Sequence, residues 1–132
     1  MTSSGPLTMA LCLFAESVPG VEHALLLSSD GMAIASSKML LPDDGERLAT
    51  VSAAAIGLAE GSTRSSGIGD VREIMIVMER SLLLVTQIAE GSSLAVLSDA
   101  SADLAMVGQE MGMLIARLAD QLGQTVGCVT AR

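Results

Sequence analysis

The segment LATVSAAAIGLA, residues 48–59, lies between Arg47 and Glu60 and carries no charge on any side. Its composition favours a helix. A helix with no charged face cannot leave one side in water, so both faces need cover. At ~100° per residue, Leu48, Val51, Ala55, Leu58 and Ala59 fall on one stripe. Ala49, Ala53, Ile56 and Gly57 fall on an opposite stripe that is smaller and smoother. The larger stripe suits a sheet, and the smaller suits close approach by another helix. In so short a chain the second helix comes most economically from a second copy. The segment therefore predicts a homodimer, with Ala49, Ala53, Ile56 and Gly57 at the contact, and an interaction protein rather than an enzyme.

The composition agrees. At 132 residues the chain has the size of one domain. Half of its residues are hydrophobic and only 17% are charged, so much apolar surface needs a place out of water. Phe14 is the single aromatic residue, which excludes stacking platforms for single-stranded nucleic acid and aromatic cages for cations. A net charge of −8 repels phosphate backbones and anionic lipid surfaces. No apolar run approaches the ~20 residues of a membrane span, and MTSSGPLT lacks the basic n-region of a secretory signal. Cys12 and Cys128 are too few and too far apart for a disulfide framework. These features point to a cytoplasmic protein with reduced thiols, no nucleic-acid partner and no membrane insertion.

Outward from the central helix the pattern is regular. Residues 7–17 read as a first helix with Leu7, Ala10, Leu11 and Phe14 on one side, stopped by Pro19-Gly20. Its other side carries Met9, Cys12, Leu13 and Glu16, unusually apolar for a solvent face. Residues 22–28 and 32–36 read as a hairpin turning through Ser29-Asp30-Gly31. Asp43 or Asp44 is placed to cap the central helix, which should end near Gly61. After a glycine- and serine-rich link, three strands follow at 71–78, 81–89 and 92–98, joined by connections too short for crossovers and hence antiparallel. The apolar strand at 71–78 can pair with its own copy in a second chain, with Val71 and Met75 at the joint. The last helix starts at Ser101-Ala102-Asp103, with Ser101 as cap. Its inward stripe is Leu104, Val107, Met111, Leu114, Leu118 and Leu122, with Gly108, Gly112 and Ala119 beside it for close packing on the sheet. Residues 7–123 form one domain, and 1–6 and 124–132 are expected to be flexible termini.

The chemistry-bearing residues are sparse. His23 is the only histidine, and one His with two distant Cys cannot make a four-ligand zinc site. The segment from Gly61 to Gly67 lacks the Lys of a phosphate-binding loop and follows a helix rather than a strand. No serine sits in a Gly-x-Ser-x-Gly elbow. Arg64 and Arg80 read as exposed loop arginines rather than arginine fingers. No catalytic residue, cofactor or metal is expected. Met106 and Met113 project from the last helix among Gln109, Glu110, Arg117 and Asp120, and methionine suits an adaptable partner contact.

The element order α-β-β-α-β-β-β-α, with FAESVPGVEHALLLSSDGMAIA, the alanine-rich helix, IVMERSLLLVTQIAEGSSLAVLS and VGQEMGMLIARLADQLG, resembles the Roadblock/dynein light chain (Roadblock/LC7) family across residues 7–123. The resemblance implies an α+β, roadblock/longin-like (profilin-like) domain with a five-stranded antiparallel sheet between helices. It also implies dimerisation through the central helix and a joined sheet, and binding of small GTPases or motor subunits. In the bacterial branch the chain looks like the small proteins of actinobacterial conservon clusters and like the regulators of a Ras-like gliding-motility GTPase. It departs from the pattern on the first helix, where Cys12 and Leu13 stand at usually charged positions. The reading that results is a non-catalytic homodimeric adaptor for a small Ras-like GTPase. Its alternative is a small-molecule sensor of the same architecture with a polar-lined pocket between sheet and helix.

Overall fold

The computed structural model describes residues 5–37, 40–63, 67–89 and 91–130. The first hairpin forms around Asp30-Gly31. Gly31 takes φ +86°, which a Cβ would resist. Ser28 N donates to Met32 O at 2.9 Å, and Met32 N donates to Ser28 Oγ at 3.2 Å. This turn joins β1 (Val21–Ser28) to β2 (Ala33–Ser36). Ser37 extends the pairing, its N–H donating to Ala24 O and its Oγ accepting from Ala24 N. The register shifts between Leu26 and Leu27, so β2 is both short and bulged.

The remaining strands are β3 (Glu73–Val77), β4 (Ser81–Ala89) and β5 (Ser92–Asp99), and all neighbours pair antiparallel in the order β2-β1-β5-β4-β3. Strand β3 is shorter than residues 71–78, and Val71 precedes it. The registers set two kinds of row. His23, Leu97, Leu83 and Ile76 lie side by side on one face, as do Leu25, Ala95, Val85 and Ile74. Ala24, Val96, Leu84 and Met75 lie on the other.

Helices α1 (Gly5–Ser17) and α3 (Leu104–Thr130) cover that second face. Leu7, Leu11 and Phe14 of α1 and Val107, Met111, Leu114 and Leu118 of α3 close a core on Ala24, Leu26, Leu84, Leu94 and Val96. At the end of α1 the chain must pass the start of α3. Gly20 takes φ +91°, and a Cβ there would stand 2.5 Å from Ala102 Cβ, so only glycine fits. The cap of α3 is Asp103, not Ser101: Asp103 Oδ1 accepts from Ala105 N and Met106 N at 3.1 and 3.3 Å. Ser101 instead closes a turn on Asp99, donating both Oγ–H and N–H to its carboxylate. Leu104, expected inward, is exposed at the first position of α3, and a Cβ at Gly108 or Gly112 would meet open space rather than the sheet. The helix continues to Thr130, past Gly123, where the periodic signal had stopped.

Helix α2 (Pro42–Thr63) lies alone on the other face. Pro42 supplies the first helical position, for which its fixed φ and missing N–H suit it. Asp43 and Asp44 fall inside the first turn, where they favour the helix dipole without capping. The inward side of α2 is centred on the smaller stripe rather than the larger, although Leu48 of the larger also packs on the sheet and Gly57 of the smaller is exposed. Ala49 and Ser52 are fully buried, and Ala53 and Ile56 pack with Ala49 against Leu25, Leu27, Leu83, Val85 and Ala95. Small side chains let the helix backbone settle onto a sheet already bulky with leucine. Ala49 therefore has no surface left for a contact between copies, and Ala53 and Ile56 are turned to the chain's own sheet.

Candidate functional site

The larger stripe of α2 is left facing outward. Val51 and Leu58 are 47% and 77% exposed, on a helix whose opposite side is closed. A cleft of about 390 Å³ runs beside them, lined by Leu40, Asp44, Arg47, Leu48, Val51, Met78, Leu83, Leu97 and His23. Its floor is the sheet row of His23, Leu97 and Leu83, which α2 covers only in part, and its far rim is Met78, just past β3. Arg47 pairs with Asp44 at 3.5 Å on the exposed rim. His23 Nδ1 has no hydrogen-bond partner among the described residues. The lining is otherwise apolar, so the cleft resembles an incomplete core more than a pocket with converging polar groups.

Beyond the cleft, β3 is an edge strand. Ile74 and Ile76 are half-buried towards α2, whereas Met75 and Val77 stand exposed on the opposite face. The strand is held in place at its start by Gln87, whose Nε2 donates to Val71 O at 2.5 Å and to Glu60 Oε2 at 3.1 Å, and whose N–H donates to Arg72 O at 3.0 Å. One side chain thus ties the end of α2 to the start of β3. An ordered edge with exposed apolar side chains is a template for strand addition.

The expected contact residues therefore divide. Val71 and Met75 lie at this edge, as the pattern of 71–78 suggested. Gly57 is exposed with open space around it, on the flank of α2 away from the cleft. Val51, Leu58 and Met78, exposed here, were not among the expected contact residues. Their signal was present in the larger stripe of α2, but periodicity alone does not say which of two apolar stripes turns inward.

On the other face, Met106 and Met113 are exposed as expected, and so are Met9 and Leu13 of α1. Cys12 is half-buried beside them. Arg80 lies exposed in the β3–β4 turn, and Arg64 lies outside the described residues. Among the described residues no His, Cys, Asp or Glu cluster could hold a metal ion, and no helix is long and apolar enough to cross a membrane. One carboxyl is perturbed. Asp99 is held below its ordinary value, chiefly by the hydrogen bond from the Ser101 hydroxyl and then by that from the Ser101 N–H. Its place in the turn before α3 accounts for this structurally.

The chain matches known proteins along this architecture. The Roadblock/LC7 domain model matches residues 8–98, from α1 to the end of β5. A Roadblock/LC7 domain from Streptomyces avermitilis superposes with a TM-score of 0.81 at 30% identity, over 87% of this chain and 96% of that one. The gliding protein MglB from Thermus thermophilus superposes with a TM-score of 0.79 at 21% identity, over 92% and 91% of the two chains, a likeness of fold. An uncharacterised protein of Methanocaldococcus jannaschii is 32% identical over 90 residues, 67% of this chain and 73% of its own length. The matched stretch takes in the hairpin, the central helix and the three-strand block that together build the whole sheet, and the chain belongs to the Roadblock/LC7 domain family.

Proposed function

We propose that the protein is a non-catalytic, cytoplasmic homodimeric adaptor that binds a small Ras-like GTPase and modulates its nucleotide cycle in a bacterial signalling system. The observation that carries this reading is the set of exposed apolar side chains Val51, Leu58 and Met78 beside the open edge of β3. A second copy that joins its β3 to this one lays its α2 along these side chains and covers them. Val71 and Met75 then lie at the strand joint. Family membership supplies the class of partner, and the likeness to MglB, a gliding protein, favours a GTPase over a motor subunit. The cleft beside α2 does not support the sensor alternative, because its lining is largely apolar and it lies where a second copy is expected.

The test is GTP hydrolysis and nucleotide exchange by the Ras-like GTPase encoded nearest this gene, with and without the purified protein. The adaptor reading expects a change in either rate together with a complex on gel filtration. Neither a complex nor a change in rate removes it. Turnover of GTP by the protein alone would point to an enzyme instead.

A further inference from the structure

The outer surface of the two-helix face carries an arrangement that neither the core nor the α2 seam uses. Along α3, Met106, Glu110, Met113 and Arg117 follow one another at spacings of four, three and four residues. That is the spacing of a seam between paired helices. In this chain the row has no helix on it. Met113 and Leu13 are more than half exposed, and with Phe14 and Ser17 of α1 they line a groove of about 230 Å³ between Glu110 and Arg117. Nothing in the packing of the monomer requires two large apolar side chains to stand in water here.

The charges decide what covers them. Glu110 and Arg117 sit one heptad apart, about 10.5 Å along the helix, too far to pair with each other. A purely basic partner would satisfy Glu110 and oppose Arg117, and a purely acidic one would do the reverse. A helix carrying the same two charges in the opposite direction satisfies both. We infer that the α1–α3 face binds a second copy of this chain through an antiparallel α3–α3 contact about a two-fold axis near Met113, placing Glu110 of each copy against Arg117 of the other. Such a contact is isologous, as a two-fold requires. It also sets opposite charges face to face locally in a chain whose net charge of −8 otherwise repels its own kind. The inference goes beyond the adaptor reading, since it uses the sheet face opposite α2. With both contacts formed, each chain holds two neighbours, and association passes beyond the dimer.

Sedimentation equilibrium of the full chain over a wide concentration range tests this. The wild-type protein is expected to associate beyond two copies, and Leu58→Glu, which opposes only the α2 seam, to stop at two. Glu110→Arg alone and Arg117→Glu alone each set like charges together and should weaken the α1–α3 contact about tenfold. The pair E110R/R117E restores both attractions with the order reversed and should recover the wild-type mass. Met113→Asp, which keeps the core intact, should abolish the contact. A double variant no better than the single ones overturns the inference, and so does a mass indifferent to both Glu110→Arg and Met113→Asp. Failure of the α2 reading looks different: Leu58→Glu then leaves the mass unchanged while the α3 variants still reduce it.

Discussion

The two faces of the sheet are closed by different means. Under α1 and α3, leucine, methionine and phenylalanine from two helices meet large side chains from the strands, and the core is complete within one chain. Under α2, alanine and serine meet the leucines of the sheet, and one helix leaves part of the face open. The difference teaches that small residues on a helix do not mark its outer, helix-binding side. Where the sheet supplies the bulk, they mark the inner side, and larger side chains such as Val51 and Leu58 are left exposed.

Substitutions on α2 give the largest expected effect on this contrast. Ala49→Glu buries a carboxylate with no partner against the sheet and should cost more than about 4 kcal/mol, enough to unfold the chain. Leu58→Glu, further along on the outer stripe, should leave the helical circular dichroism intact and halve the mass seen by light scattering. A folded, monomeric Ala49→Glu would mean that the stripes are assigned the wrong way round. On the two-helix face, Gly20→Ala forces a left-handed φ on alanine and drives its Cβ into Ala102. A loss of about 2–4 kcal/mol is expected from chemical denaturation, compared with the wild type at the same protein concentration. An unchanged midpoint would show that the chain shifts to relieve the close approach to Ala102.

A smaller effect of opposite sign is expected at Ser52. Its hydroxyl is fully buried beneath α2 and has no hydrogen-bond partner among the described residues. Ser52→Ala should raise stability by about 1 kcal/mol, read as a higher melting temperature. A loss would reveal a bond to the hydroxyl. The smallest effect is at the Asp99 turn. Its carboxyl titrates lower in the folded chain than its ordinary 3.8, so the charged form stabilises the fold above that pH, and the contribution is lost as pH falls through the folded value. The difference in melting temperature between the wild type and Ser101→Ala should therefore be present at neutral pH and vanish in strong acid. A difference that persists there would assign it to something other than the Asp99 charge.

Much of this architecture is legible in residue order. Asp30-Gly31 can hardly be anything but a hairpin turn, and the block from 71 to 98 has no room for crossovers, so the sheet follows from turn chemistry and connection length. The edge position of β3 does not follow from these, since either end of the three-strand block could have paired with β1, and the structure pairs β5 there. What periodicity does not carry is direction. Both stripes of α2 are apolar, and the choice between them depends on how much volume Leu25, Leu27, Leu83 and Val85 already occupy, a fact of assembly rather than of the segment. The same holds for the cap of α3. Ser101 and Asp103 are both good caps, and the structure uses Asp103 because Asp99 has already engaged Ser101.

The bulge in β2 sets a limit on growth. A sheet has two ends at which strands can be added, and in this chain they are unlike. One is a four-residue strand with a register slip, poorly shaped to receive a neighbour, and the other is the regular strand β3. A chain with two good ends would template a ribbon without a natural stop. A chain with one good end has a valence of one: when two copies meet through β3, each has spent its only open bond, and the count of strands closes at ten.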